Sequence, residues 1–162
     1  MNYFELYNIP FSLKPDQQLV KQKFYELSRK YHPDFFSNAT EDEQADVLEK
    51  SSAINKAFKI FSHSDETIKY VLQQKGLIEE EEKYQLPPDF LMEMMELNEQ
   101  AMEADKTEIE KQVSNIQHEI YEPVKAIIEH YKEGITSKEE LLQVKDYYFK
   151  KKYLNRILEG LG

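Results

Sequence analysis

Three adjacent residues, His32, Pro33 and Asp34, could do the most chemistry in this 162-residue chain. An aspartate carboxylate accepts charge-assisted hydrogen bonds from a partner's arginine. A histidine two residues away offers one donor and one acceptor beside it. The proline between them fixes its own φ and lacks an N–H, so the tripeptide is a stiff turn that ends whatever helix precedes it. A simpler account of the same residues is a helix end, with His32 stabilised by the helix dipole and Pro33 as terminator. The other histidines carry less. His118-Glu119 and His130 miss the His-Glu-x-x-His spacing of a metallopeptidase helix, and His63 reads as a loop residue. The chain has no cysteine, which excludes disulfides, thiolate zinc sites, thiol catalysis and cysteine-ligated clusters. No Gly-rich phosphate loop or nucleophile motif is present, and the acids read as helix surface rather than a paired site. The expectation is a protein that is not an enzyme and needs no metal or cofactor.

The elements that position the tripeptide are helical. Four glycines and six prolines leave little turn material, so few, long helices are expected and the fold class is all-α. At 40% hydrophobic residues the chain is too apolar for disorder, yet no run approaches the ~20 apolar residues of a membrane span. Val20, Phe24, Leu27 and Tyr31 fall at helical spacing, and this helix stops where His32 precedes Pro33. A polar loop, Ser37 to Thr40, leads to a second stripe at Val47, Ser51, Ile54, Phe58 and Phe61. The two stripes predict an antiparallel helical hairpin. A short leading helix around Tyr3–Tyr7 and a helix over about 65–75, carrying Ile68, Val71 and Leu72, complete the first half.

The chain divides near Gly76, which reads as a helix stop, and Pro87-Pro88. The expected domains are 1–76, a linker 77–87, and 88–162. In the second half, Pro88 suits the first turn of a helix beginning at Asp89. Thr107-x-x-Glu110 reads as a capping box for a helix with stripe Ile109, Val113, Ile116 and Ile120. Pro123 predicts a kink rather than a stop, the pattern continuing through Val124, Ile127, Ile128 and Tyr131 until Gly134. Ser137-x-x-Glu140 opens a last helix with Leu141, Val144, Tyr148, Leu154 and Ile157. The result is a three-helix bundle.

The net charge of −10 lies in one place. Residues 79–110 hold twelve acids and two bases, and the rest of the chain is balanced. Residues 14–30 are locally basic, at +3. Both patches serve equally as solvated helix surface or as docking faces of opposite sign for two partners. An acidic chain with no large basic stripe argues against nucleic-acid binding. The start, MNYFELYNIPF, lacks the basic and apolar regions of a signal peptide, and a cytoplasmic location is expected.

The string Leu27-Ser28-Arg29-Lys30-Tyr31-His32-Pro33-Asp34, with Tyr3-Phe4 and Leu6 before it and Ile54-Asn55-Lys56-Ala57-Phe58 after it, resembles the J-domain, the module with which co-chaperones contact DnaK-type ATPase chaperones. The resemblance implies chaperone contacts at His32, Pro33 and Asp34 and along Lys21, Tyr25, Arg29 and Lys30. Many J-domains place a basic residue directly after the aspartate; here that position is Phe35. General J-domain proteins often continue into a Gly/Phe-rich linker and a cysteine-rich zinc module, and this chain has neither. Its second half looks like that of the HscB family, the co-chaperones of iron–sulfur cluster assembly. The most specific match is Phe90 to Leu97, with Asn2-Tyr3-Phe4.

That resemblance implies a C-terminal bundle that holds an IscU-type scaffold protein through Leu91, Met92, Met95, Glu96, Glu99, Glu103 and Phe149. Along the helix, Leu91, Met95, Glu99 and Glu103 share one line, with Met92 and Glu96 beside it. Phe90, Met94 and Leu97 make a rival stripe, so periodicity alone leaves Leu91 and Met95 open between core and interface. Eukaryotic members of the family can add a cysteine-pair zinc segment, which a cysteine-free chain is expected to lack. The implied function is to deliver the scaffold to a DnaK/HscA-type chaperone and stimulate its ATPase. The rival readings are a general J-domain co-chaperone with unfolded clients, and a helical adaptor with a degenerate J-domain.

Overall fold

The computed structural model describes residues 1–161, and among them it is helical with no β-strand. The chain divides between Gln74 and Lys75 into two compact units.

The first unit contains α1 (Tyr3–Tyr7), α2 (Gln17–Lys30), a 3-10 turn (Pro33–Phe36), α3 (Glu41–Phe61) and α4 (Ser64–Gln74). Each of the first three α-helices starts at a polar cap. The Asn2 side chain accepts from the Glu5 N–H, Asp16 from those of Gln18 and Leu19, and Thr40 from that of Glu43. Each cap satisfies amide donors that have no partner inside the helix. The expected hairpin forms from α2 and α3. At one end Gln17 Nε2 donates to the Phe61 carbonyl at 2.9 Å. In the middle Phe24 stacks on Phe58 with ring centroids 4.1 Å apart. At the other end Lys50 Nζ sits 4.9 Å over the Tyr31 ring. The pairing order makes the two helices antiparallel. Short α1 closes the core: Phe4 and Tyr7 both pack on Phe61, and the buried Tyr7 hydroxyl donates to the Ile54 carbonyl at 2.6 Å. Burial drives the Tyr7 phenol well above its ordinary range, so it stays a donor.

The second unit contains α5 (Pro88–Glu103), α6 (Lys106–Tyr121), a 3-10 turn (Glu122–Val124), α7 (Lys125–Glu129) and α8 (Lys138–Leu161). Its core joins Phe90, Met94 and Leu97 of α5 to Ile109, Val113 and Ile116 of α6 and Leu154 and Ile157 of α8. The bundle therefore has three long helices, as expected, with a short fourth between them. Two local expectations are corrected. The capping box at Thr107 does not form: α6 begins at Lys106 with Asp105 as N-cap, and the Ile109 amide donates to the Asp105 carbonyl. Asp105 starts the helix two residues early, which puts Thr107 inside its first turn. At Pro123 the α-helix does not kink and run on. It ends at Tyr121, passes through the 3-10 turn that holds the proline, and resumes for only five residues. A missing N–H and a ring against the preceding turn account for the break. Gly134, at φ +80°, turns the loop before α8 rather than closing a helix. The Ser137 box forms in both directions, Glu140 N–H to Ser137 Oγ at 3.1 Å and Ser137 N–H to Glu140 Oε1 at 3.0 Å.

The segment expected as a linker packs along α8. Tyr84 stacks on Phe149 and donates to Asp146, and Glu82 pairs with Lys145.

The two methionines that follow one another on α5 lie on opposite sides of the core boundary, Met94 fully buried and Met95 60% exposed. Met94→Ala should lower the unfolding free energy of the second unit by about 2–5 kcal/mol. Met95→Ala should change it by less than about 0.5 kcal/mol. Urea unfolding followed by circular dichroism distinguishes the two, and equal losses would contradict this placement.

Candidate functional site

The His32-Pro33-Asp34 turn stands in water, with Asp34's side chain 88% exposed. Its shape comes from backbone contacts. His32 is the N-cap of the 3-10 turn, and its Nδ1 accepts the Asp34 N–H at 3.2 Å. A neutral His32 then carries its proton on Nε2, the outward nitrogen. The Phe35 amide donates to the His32 carbonyl at 3.1 Å. The far end of the turn is tied to α3, where Gln44 Nε2 donates to the carbonyls of Phe36 and Ser37, each at 3.1 Å. One carboxylate and one N–H donor are thus presented on a fixed turn, a geometry suited to a partner's arginine and carbonyl groups.

Along α2, Lys21, Tyr25 and Arg29 follow one another at spacing four, all exposed, and Lys30 is exposed beside them. Together with the turn, the structure leaves all seven residues expected at the chaperone face open to solvent. Lys23 differs: it is half-buried and lies 3.8 Å from Glu26. Two apolar residues on this unit were not singled out as contacts from the sequence. Phe35 is 73% exposed, its ring edge-on to His32 at 6.0 Å. Leu48 of α3 is also exposed, and its only signal in the sequence is that it falls off the Val47–Ile54–Phe61 stripe.

On α5 the rival stripes separate. Phe90, Met94 and Leu97 are core, whereas Met92 is 62% exposed and Glu96, Glu99 and Glu103 are all exposed. Leu91 is half-buried. Phe149 differs from its neighbours in this set. It is 9% exposed, stacked against Tyr84 with centroids 4.5 Å apart. It meets Leu91 in the lining of an open depression of about 430 Å³. Only part of its ring is therefore available to a partner. Met102, 89% exposed, extends the open methionine line seven residues beyond Met95, a spacing the sequence contained. Met side chains adapt to varied apolar partners.

The charges at this end of the second unit are partly committed. Glu82 lies 2.8 Å from Lys145, and the hydrogen bond from that lysine holds its carboxyl below the ordinary glutamate range. Burial and the hydrogen bond to Asp146 push the Tyr84 phenol up to about 12. On the other side of α5, burial and the carboxylates of Glu119 and Glu96 raise Glu93. Among the described residues, no three His, Asp or Glu side chains are grouped to hold a metal ion, and no helix is long and apolar enough to cross a membrane.

Residues 86–162 match the family described as the HSCB C-terminal oligomerisation domain. Over the whole chain, a co-chaperone protein HscB homolog from Acinetobacter baumannii is 31% identical across 161 residues, 99% of this chain and 88% of that one. A homolog of the same description from Vibrio parahaemolyticus is 37% identical over 101 residues, which span 62% of this chain and 59% of that relative. The crystal structure of the human co-chaperone protein HscB superposes with a TM-score of 0.83 at 28% identity, covering 99% of this chain and 80% of that one.

The Glu82–Lys145 pair gives a pH signature. A carboxyl depressed on folding stabilises the fold above its unfolded titration, about pH 4.3 for glutamate. That contribution is lost as pH falls through the lower folded value. Glu82→Gln should therefore be less stable than the parent at pH 7, and the two should converge below pH ~4 in urea melts. A constant difference down to pH ~2.5 would contradict the pairing.

Proposed function

The chain belongs to the HscB co-chaperone family, and on that premise we propose that it delivers an IscU-type iron–sulfur scaffold to a DnaK/HscA-type chaperone in the cytoplasm and stimulates the chaperone's ATPase. The observation that carries the reading is the exposed turn at His32 and Asp34, fixed by Gln44 and continuous with the cationic line on α2. A polar turn this open, yet tied at both ends, contributes little to the fold and suits a partner.

Each group has a physical task. Lys21, Arg29 and Lys30 attract an acidic chaperone surface over a distance of about a Debye length, ~8 Å in physiological salt. Asp34 then accepts charge-assisted hydrogen bonds from a chaperone arginine, and His32 Nε2 donates beside it. Pro33 keeps the pair rigid, so little conformational entropy is lost on docking. In the second unit, Met92 and Met95 supply adaptable apolar contact, with Leu91 and part of Phe149 beside them, and Glu96, Glu99 and Glu103 form an anionic rim. A scaffold held there is kept at high effective concentration near the chaperone's peptide site. Hydrolysis in the chaperone then traps the scaffold and favours release of its cluster, which is cargo throughout.

Two substitutions separate the tasks. His32→Gln should abolish stimulation of a DnaK-type ATPase while leaving the melting temperature within about 2 °C; undiminished stimulation would remove the chaperone-docking role. Leu91→Ala with Met95→Ala should weaken binding of an IscU-type scaffold by about tenfold or more in calorimetric titration. Undiminished scaffold binding, or equally strong binding of unfolded polypeptides, would point instead to a general co-chaperone.

A further inference from the structure

We propose that the depression beside Leu91 is a second element of the scaffold face, and that it takes a carboxylate of the partner whose neighbouring apolar side chain rests on the Tyr84–Phe149 stack. This rests on the reading of α5 as the scaffold-docking helix and adds the partner chemistry that fixes its register.

The depression has an apolar floor and a cationic rim. Tyr84 lies flat on Phe149, the planes 11° apart, and Leu86, Leu91 and Tyr153 complete the walls. The floor is preorganised, because the Tyr84 hydroxyl donates to Asp146 at 2.8 Å and that carboxylate also takes Lys150 at 2.9 Å. Three cations stand around it, Lys83, Lys152 and Arg156. Two acids at its edge are engaged elsewhere, Glu82 by Lys145 and Asp146 by Lys150. Among the described residues, none of the three cations has a carboxylate within ion-pair distance. Lys152 instead holds its Nζ 5.9 Å over the Phe149 ring. Lys152 and Arg156 are one helical turn apart on α8, so they share a face and can close on one carboxylate from two sides. The chain as a whole carries −10, and its basic last helix supplies two of these three cations.

The two signs together solve a problem that the acidic stripe alone leaves open. Glu96, Glu99 and Glu103 recur at helical spacing, so a basic partner surface could slip by one turn and find almost the same charges. Cations at the Leu91 end break that repeat. A partner with an acidic residue at one end of its basic patch docks in one register, and the slipped register sets its acid against α5 carboxylates.

The test uses the full chain and an IscU-type scaffold. Lys152→Glu with Arg156→Glu should weaken binding about tenfold or more, with the melting temperature and the scaffold-independent ATPase stimulation unchanged. Lys111→Glu with Lys125→Glu makes the same change in net charge at exposed positions on α6 and α7 and should leave binding within about twofold. If the α8 pair binds normally while Leu91→Ala with Met95→Ala does not, the depression is overturned and the α5 reading survives. If both charge pairs weaken binding equally, net charge rather than this depression is responsible and the proposal fails. If none of the variants weakens binding, the α5 reading falls and this proposal with it.

Discussion

A turn that offers its polar side chains to a partner cannot be held in place by burying them. The first unit meets this constraint by fixing the backbone of the turn and leaving its side chains exposed. Pro33 removes one torsional freedom, His32 Nδ1 takes the Asp34 amide, and Gln44 reaches from α3 to two carbonyls at the far end. Those bonds have meaning only if α2 and α3 are themselves in register. That register is set by the Phe24–Phe58 stack and by the Tyr7 hydroxyl on the Ile54 carbonyl. The buried aromatic cluster around Phe61 thus helps place a turn whose carboxylate stands largely in water.

The second unit divides a single helix between core and surface. On α5, Phe90, Met94 and Leu97 enter the core shared with α6 and α8, while Met92 and Met95 remain open. An exposed methionine surface has no folding advantage over a polar one and raises the risk of aggregation. Its presence beside an anionic rim is physically reasonable when a partner covers it. At the Leu91 end the same face carries an aromatic floor and a cationic rim.

Much of this was readable in the sequence because the signals were local. The Ser137–Glu140 box is made by residues three apart, and it forms as read. The hairpin stripes, the leading helix at Tyr3 and the terminator at Pro33 are likewise properties of a few neighbouring residues. What was not readable depended on competition or on packing partners far away in the chain. Thr107 was a sound cap candidate until Asp105 took the position first. Pro123 announced a disruption, but its extent depended on how α7 could pack against α8. Met94 and Met95 are identical in type and adjacent, so only the positions of α6 and α8 decide which is buried. Phe149 stands among the implied scaffold contacts, and the Tyr84 ring that stacks on it comes from sixty-five residues earlier in the chain. Lys152 and Arg156 are unremarkable in a basic helix until Glu82 and Asp146 are seen to be engaged by other lysines.

The proposed function is a coupling of two tasks, chaperone docking at the turn and scaffold docking on α5. Steady-state ATPase of a DnaK-type chaperone, with this protein and an IscU-type scaffold added singly and together, tests that most directly. The account predicts a rate with both well above the sum of the separate stimulations, an excess that disappears when His32 is replaced by glutamine. A rate equal to that sum would contradict it, leaving a J-domain and a helical bundle that share a chain without sharing a task.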